Sequence, residues 1–529
     1  MKEFPVVEER RGIACWQHAF PEFRVKAAVP APAPLADIVN FGFLAPYLLV
    51  FEERERSMEE AIAYAGEKGF LRIAEQFSTS VVFVYPTCDG GWDKADEGLF
   101  QALIANSRIH QYHRQGVVTS KDRFTGNWGD CFIRGAIFRT HLFARGKAAD
   151  YVARCLMQTL QGEYLWGPGE ITPATATLEN LSRMPEVQRR DIPIVSVGNT
   201  EEVNAQLKAA CDHLLVQDAL DVPAAFDGFL RQYKRWCGVL ETEKTMDEMG
   251  MVEEAGCETV PVSADNRGDD REMQEHRIGY MAYYRKGLLD RGPVPLVLAF
   301  HGGGDSALHI AHVSGWWRVA MRHGFLLVCV ENHLNSTATE MMALLEKLKE
   351  KYPIDAARIY ASGFSMGGIK TWDMYQEYPH VFAALAPMGA TVEVGHNVYF
   401  GPTGKAINRD VPVPLFYSGG ENSPLAELPF QAEKCRDRVD YVFRVNGVKK
   451  PYDVCFDGRE QWEDPIYGVT GDRVEKKDDP SRGSVLTIHY FESEDGVERT
   501  AFTSVSGQGH ECREHTCEQA WQFMQRFHR

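Results

Sequence analysis

The chain has 529 residues, 44% of them hydrophobic and 25% charged, with a formal net charge of −17 at pH 7. That length and composition allow two or three domains with real cores. So acidic a surface repels phosphate backbones and anionic lipid, which argues against nucleic acid as a partner. No run of 18 apolar residues occurs, so no membrane span is expected. The first residues, MKEFPVVEERRG, carry no apolar stretch after Lys2, and the 12 cysteines are scattered. A cytoplasmic protein with reduced core thiols is the expectation.

In chain order, short apolar runs alternate with helical patterns, the signature of parallel strands joined by crossover helices. In the first half, Pro46–Phe51, Val81–Val84 and Pro193–Gly198 read as strands. In the second half, strands are read at Pro295–Phe300, Phe325–Val330, Arg358–Ser362, Phe382–Ala386 and Pro414–Ser418. Continuous apolar strands suit a sheet buried on both faces. Helices are read at Thr339–Lys351, Ile369–Tyr378 and about Cys517–Phe527.

The halves repeat one another. Pro46–Phe51 lines up with Pro295–Phe300, Gly69–Ala74 with Gly315–Ala320, and Val81–Val84 with Leu327–Val330. Phe132–Ile137 then falls on Phe364–Ile369, and Pro193–Gly198 on Pro414–Gly419. Five matches in one order predict a tandem α/β protein of two similar domains, each a mostly parallel sheet flanked by helices. The expected bounds are 1–240 for the first domain, 241–256 for an acidic, Met-rich linker and 257–529 for the second.

The second domain carries the chemistry. Gly363-Phe364-Ser365-Met366-Gly367 is a G-x-S-x-G sequence between an apolar strand and a helix pattern. That context forces a sharp turn and exposes the serine hydroxyl as a nucleophile. His301-Gly302-Gly303-Gly304 follows the strand ending at Phe300. A Gly-rich loop there lets backbone N–H groups meet an oxyanion, so the expected donors are Met366 N–H with Gly302 or Gly303. The base is expected after the last strand, Arg499–Val505, which makes it His510 in Ser506-Gly-Gln-Gly-His510, with His515 as runner-up. The acid is expected after the strand ending at Ser418, where Glu421 is the first carboxylate. Asp437, Asp440, Asp457 and Asp464 are weaker candidates. His510, Cys512, His515 and Cys517 are all metal-ligand types, but H-x-C-x2-H-x-C is not a zinc spacing, and neither metal nor organic cofactor is expected.

Arg358-Ile-Tyr-Ala-Ser-Gly-Phe-Ser-Met-Gly-Gly, Thr371-Trp-Asp, Tyr378-Pro379 and Phe382-Ala-Ala, with the HGGG segment and terminal G-x-G-H, resemble the polyhydroxybutyrate depolymerase and feruloyl-esterase group of α/β-hydrolases. The resemblance covers about residues 275–529. It implies hydrolysis of a small-molecule or oligomeric ester by a Ser–acid–His triad, which falls on Ser365, Glu421 and His510. The family's acid is usually Asp, where this chain has Glu421. Many members are secreted. A serine peptidase or acyltransferase on the same triad, and a non-catalytic binding protein, remain as alternatives. The first half lacks the machinery in this register: Ile133 stands opposite Ser365, Glu52–Glu55 opposite His301–Gly304, and Thr200 opposite Glu421. A degenerate, non-catalytic hydrolase-like domain is expected there. Two insertions, about 392–411 and 425–485, are expected to shape the pocket with Tyr399, Phe400, Trp462 and Tyr467.

Overall fold

The computed structural model describes residues 6–10, 13–30, 46–103, 137–156, 161–164, 167–170, 172–184, 190–236, 238–268, 274–303, 305–423, 433–464 and 466–529. The chain divides into two units, 1–249 and 250–529. None of the helices among the described residues is long and apolar enough to cross a membrane.

The first unit is built on β1 (Val6–Arg10), β2 (Ile13–Ala19), β3 (Phe23–Pro30), β4 (Tyr47–Phe51), β5 (Ser80–Pro86), β6 (Thr140–Arg145), β7 (Thr175–Glu179), β8 (Ile194–Val197) and β9 (Leu214–Gln217). They form one sheet in the order β1-β2-β3-β5-β4-β6-β7-β8-β9. The strands from β5 to β9 run parallel, and β1 to β3 add an antiparallel edge.

The second unit has β10 (Met251–Pro261), β11 (Glu275–Arg285), β12 (Val294–Phe300), β13 (Leu326–Val330), β14 (Ile354–Phe364), β15 (Ala384–Met388), β16 (Leu415–Gly420), β17 (Arg473–Asp479), β18 (Ser484–Phe491) and β19 (Thr500–Val505). Their order is β10-β11-β13-β12-β14-β15-β16-β19-β18-β17. The six central strands are parallel, and an antiparallel pair flanks each side.

The run β3-β5-β4-β6-β7-β8-β9 in one unit matches β11-β13-β12-β14-β15-β16-β19 in the other. Even a cap recurs: Gly69 (φ 86°) and Gly315 (φ 68°) both open their helices in the left-handed region, which glycine enters without steric cost. The chain thus holds two α/β-hydrolase-like units in tandem.

Residues 251–256, expected in a linker, form the first half of the edge strand β10. The segment before them is a hairpin, Tyr233–Trp236 with Val239–Thr242, followed by the short helix Glu243–Glu248. The end of the expected 425–485 insertion is also sheet: β17 lies within it and pairs with β18, which pairs with β19. Tyr467 belongs to the core, stacked 5.1 Å from Phe502 with its hydroxyl donating to Thr503 O.

The central strands β12 and β13 are apolar throughout, as a sheet covered by helices on both faces requires. β12 and β13 pack with Leu344, Leu348, Trp372 and Tyr375 in one core. The helix Met366–Glu377, which follows β14, is buried on nearly all sides. Its position fixes the segment joining it to β14.

Candidate active site

Ser365 occupies that junction with φ 55° and ψ −117°. A non-glycine residue held at positive φ stores on the order of 1–3 kcal/mol of strain, which the surrounding packing must hold. Here the glycines of the motif let the strand and helix close on one another. A Cβ on Gly363 would fall 2.2 Å from Gly367 O, and one on Gly367 would fall 2.0 Å from Phe300 O. The Ser365 N–H donates to Met388 O at 2.9 Å, which ties the turn to the end of β15.

His510 follows β19 and reaches across the neighbouring strand ends. Its Nε2 stands 2.9 Å from Ser365 Oγ. The ring lies against Phe364, with centroids 4.7 Å apart. A Cβ on Gly389 would come within 3.4 Å of His510 Cε1, so this residue leaves room for the base. The structure therefore brings Ser365 and His510 within hydrogen-bond reach.

The expected oxyanion loop lies beside the serine. A Cβ on Gly303 would stand 3.1 Å from Met366 Cγ, so the loop backbone closes on the start of the helix. Met366 is the first residue of that helix, where N–H groups lack intrahelical partners and a developing negative charge is favoured. His301 is fully enclosed, with ring nitrogens 2.6 Å from Gly302 O and 2.8 Å from Glu331 O. Burial lowers its pKa while the two carbonyl contacts oppose that shift, and the ring ties the loop to the residue after β13. Gly304 lies outside the described residues.

Glu421 is placed differently from His510. It is exposed, and its Oε2 accepts the Gly507 N–H at 2.8 Å. Together with Glu421 N–H to Val505 O (3.0 Å) and Asn422 N–H to Gln508 O (2.8 Å), this staples the loop after β16 to the loop bearing His510. No hydrogen bond between Glu421 and His510 is present among the described contacts. Residues 424–432 of the same loop lie outside the described residues. Two of the weaker candidates point elsewhere: Asp464 Oδ2 is 3.2 Å from His489 Nε2, and Asp437 accepts from Val394 N–H.

The possible metal cluster does not assemble. His510 faces Ser365, while the Cys512 and Cys517 sulfurs touch each other at 3.6 Å. Among the described residues, no three His, Cys, Asp or Glu side chains are arranged to hold a metal.

In the first unit, strand order places the junction after β6. Arg145 ends that strand, Gly146 follows with φ 55°, and the helix Lys147–Leu156 begins. Gly146, with no side chain, thus holds the position of Ser365. A Cβ there would lie 1.9 Å from Glu53 Oε1, so Glu53 fills the space a nucleophile needs. Ile133, aligned with Ser365 by sequence, lies outside the described residues. Glu52, which follows β4, is buried and accepts from Arg56 Nε and Nη2 at 3.1 and 2.9 Å. Thr200 caps the helix Glu201–Ala210 by accepting the Val203 N–H.

Of the expected pocket aromatics, Phe400 is 62% exposed and Tyr399 donates to Asn266 Oδ1. Trp462 packs over Gly468.

No family model matches the chain. It is similar to a bifunctional acetylxylan esterase/xylanase of Neocallimastix patriciarum, 24% identical over 239 residues, covering 44% of this chain and 31% of that protein. It is also similar to poly(3-hydroxyalkanoate) depolymerase C of Paucimonas lemoignei, 29% identical over 113 residues, covering 18% and 27%. The chain thus spans less than a third of the length of these curated relatives. Among solved structures, an acetyl xylan esterase from Aspergillus awamori is 13% identical, with 51% of this chain and 99% of that one covered and a TM-score of 0.35. By strand order and by its strand–serine–helix turn, the unit of residues 250–529 has an α/β-hydrolase type of fold.

Proposed function

We propose that the second unit hydrolyses carboxylic esters through an acyl-enzyme on Ser365. The observation that carries this reading is the 2.9 Å approach of His510 Nε2 to Ser365 Oγ, at a strained turn facing a glycine-rich loop. His510 takes the hydroxyl proton as Ser365 Oγ attacks the ester carbonyl. The oxyanion is held by the Met366 N–H and an N–H of Gly302 or Gly303, donors fixed in place before the charge develops. The tetrahedral intermediate collapses, His510 returns the proton to the departing alcohol, and a water activated by His510 releases the acid. A carboxylate that orients His510 is assigned to the loop beginning at Glu421. The names of both curated relatives refer to ester-cleaving enzymes, which supports an ester as substrate, small or oligomeric.

The first unit takes no part in bond breaking. Gly146 offers no nucleophile, and Glu52 and Glu53 stand where an oxyanion loop is needed.

The test is turnover of p-nitrophenyl acetate by the whole chain. Ser365→Ala lowers kcat by about 10⁴–10⁶-fold with the fold intact, and His510→Ala by nearly as much. More than a few per cent of wild-type activity in folded Ser365→Ala refutes the assignment.

A further inference from the structure

We propose that Cys512 and Cys517 form an oxidation site, at which a small peroxide joins them in a disulfide that pulls His510 away from Ser365. The two sulfurs are 3.6 Å apart, and Cys512 Sγ also lies 3.5 Å from Met388 Sδ. Cys512 is two residues from His510. Cys517 is in the terminal helix, Glu514–Met524, and is fully enclosed.

The two thiols differ in access. Cys512 and His510 both line a narrow cavity at the ends of β15 and β16, whereas Cys517 does not reach it. Peroxide entering that cavity therefore meets the Cys512 sulfur first. Cys512–SH and hydrogen peroxide give Cys512–SOH and water. The Cys517 sulfur then attacks the sulfenic sulfur, forming S–S and releasing a second water. Two thiols lose two electrons and two hydrogens, and the peroxide oxygens are reduced.

Closing the bond moves the base. A disulfide needs an S–S distance of about 2.05 Å, so roughly 1.5 Å of approach must be found. The terminal helix is held by its packing on the helix Trp316–His323 and on β15 and β16. Among the described residues, the preceding loop is tied to the loop after β16 only through Glu421 and Asn422, whose partners are Val505, Gly507 and Gln508, so nothing in that staple holds residues 509–512 themselves. The loop therefore takes most of the shift and carries His510 with it. A misplacement of about 1 Å in a catalytic group can cost on the order of 10²-fold.

The coupling to activity rests on His510 as base, whereas the linkage does not. The whole chain is treated with hydrogen peroxide, free thiols are blocked, and the protein is cut with trypsin without reduction. Arg513 lies between the two cysteines, so a disulfide joins the peptide ending at Arg513 to the one beginning at Glu514. The expected result is this linked pair, a parallel fall in kcat of about tenfold or more, recovery with dithiothreitol, and a Cys517→Ala protein whose activity withstands peroxide. Oxygen added to Met388 or to either cysteine without linkage overturns the proposal, as does full linkage with kcat unchanged. If untreated His510→Ala keeps full activity, the esterase reading fails, and the linked peptides alone then decide the oxidation site.

Discussion

Gly367→Ala isolates the packing that sets the serine turn. The added Cβ would stand 2.0 Å from Phe300 O, 2.4 Å from Phe300 C and 2.7 Å from His301 O. All three are backbone atoms, so no rotamer relieves the contact. Ordinary contact begins near about 3.5 Å, so the helix Met366–Glu377 must withdraw by roughly 1.5 Å from the end of β12. That withdrawal separates the Met366 N–H from Gly302 and Gly303 and moves Ser365 relative to His510. Overpacking of this kind costs about 1–3 kcal/mol of stability, and the displacement lowers kcat by on the order of 10²-fold. Gly509→Ala is the control: it adjoins His510 in sequence, yet its Cβ would meet nothing within 4 Å. Purified proteins are compared by thermal melting and by kcat on p-nitrophenyl acetate. Wild-type kcat and melting temperature in Gly367→Ala refute the steric argument, as does an equal loss in Gly509→Ala.

Three further outcomes follow from the geometry. Glu421 is spent on the Gly507 N–H, and a Gln carbonyl keeps that acceptor, so Glu421→Gln lowers kcat less than about tenfold, whereas loss of an orienting carboxylate costs about 10⁴-fold. The same assay on Glu427→Gln, the next carboxylate in that loop, identifies the acid, and a 10⁴-scale loss in Glu421→Gln instead contradicts the reading of its contact. Burial pushes the Asp373 carboxyl from 3.8 up to about 7, with the Lys370 ammonium only partly opposing it. Between those values the folded chain holds a proton that the unfolded chain releases, so this group costs stability as pH rises through the window. The melting-temperature difference between Asp373→Asn and wild type therefore shifts in favour of Asn from about pH 5 to pH 8, whatever constant cost comes from leaving Lys370 without its partner; a pH-independent difference contradicts this. Finally, activity persists after exhaustive dialysis against EDTA, and a loss restored by zinc would return His510, Cys512, His515 and Cys517 to consideration as ligands.

Much of the second unit was legible because its signals are local. A strand, a G-x-S-x-G turn and a helix are contiguous, and the turn is fixed by contacts among Gly363, Gly367 and Phe300 that the motif itself implies. That the histidine after the last strand lies beside Ser365 was legible from chain order. What escaped depended on distant pairing. The sequence register put Ile133 opposite Ser365, since apolar strands look alike and nothing local marks which one lies between β4 and β7. Strand order puts Gly146 there instead, and an Arg-Gly-Lys turn carries no recognisable motif. Glu421 was chosen by chain position alone, which says nothing about where a side chain turns, and its carboxylate turns to Gly507. β17 falls inside the expected insertion because it extends the sheet beyond the strands that the motifs anchor.

The central claim, that bond breaking belongs to Ser365 in the second unit alone, is tested most directly by mapping a fluorophosphonate adduct on the whole chain. The probe reacts far faster with a serine hydroxyl made nucleophilic by a neighbouring base than with an unactivated one. The predicted result is one adduct, on the tryptic peptide Ile359–Lys370 at Ser365, lost in Ser365→Ala and sharply slowed in His510→Ala, with no adduct in residues 1–249. An adduct on any residue of the first unit, or labelling that persists in folded Ser365→Ala, contradicts the account.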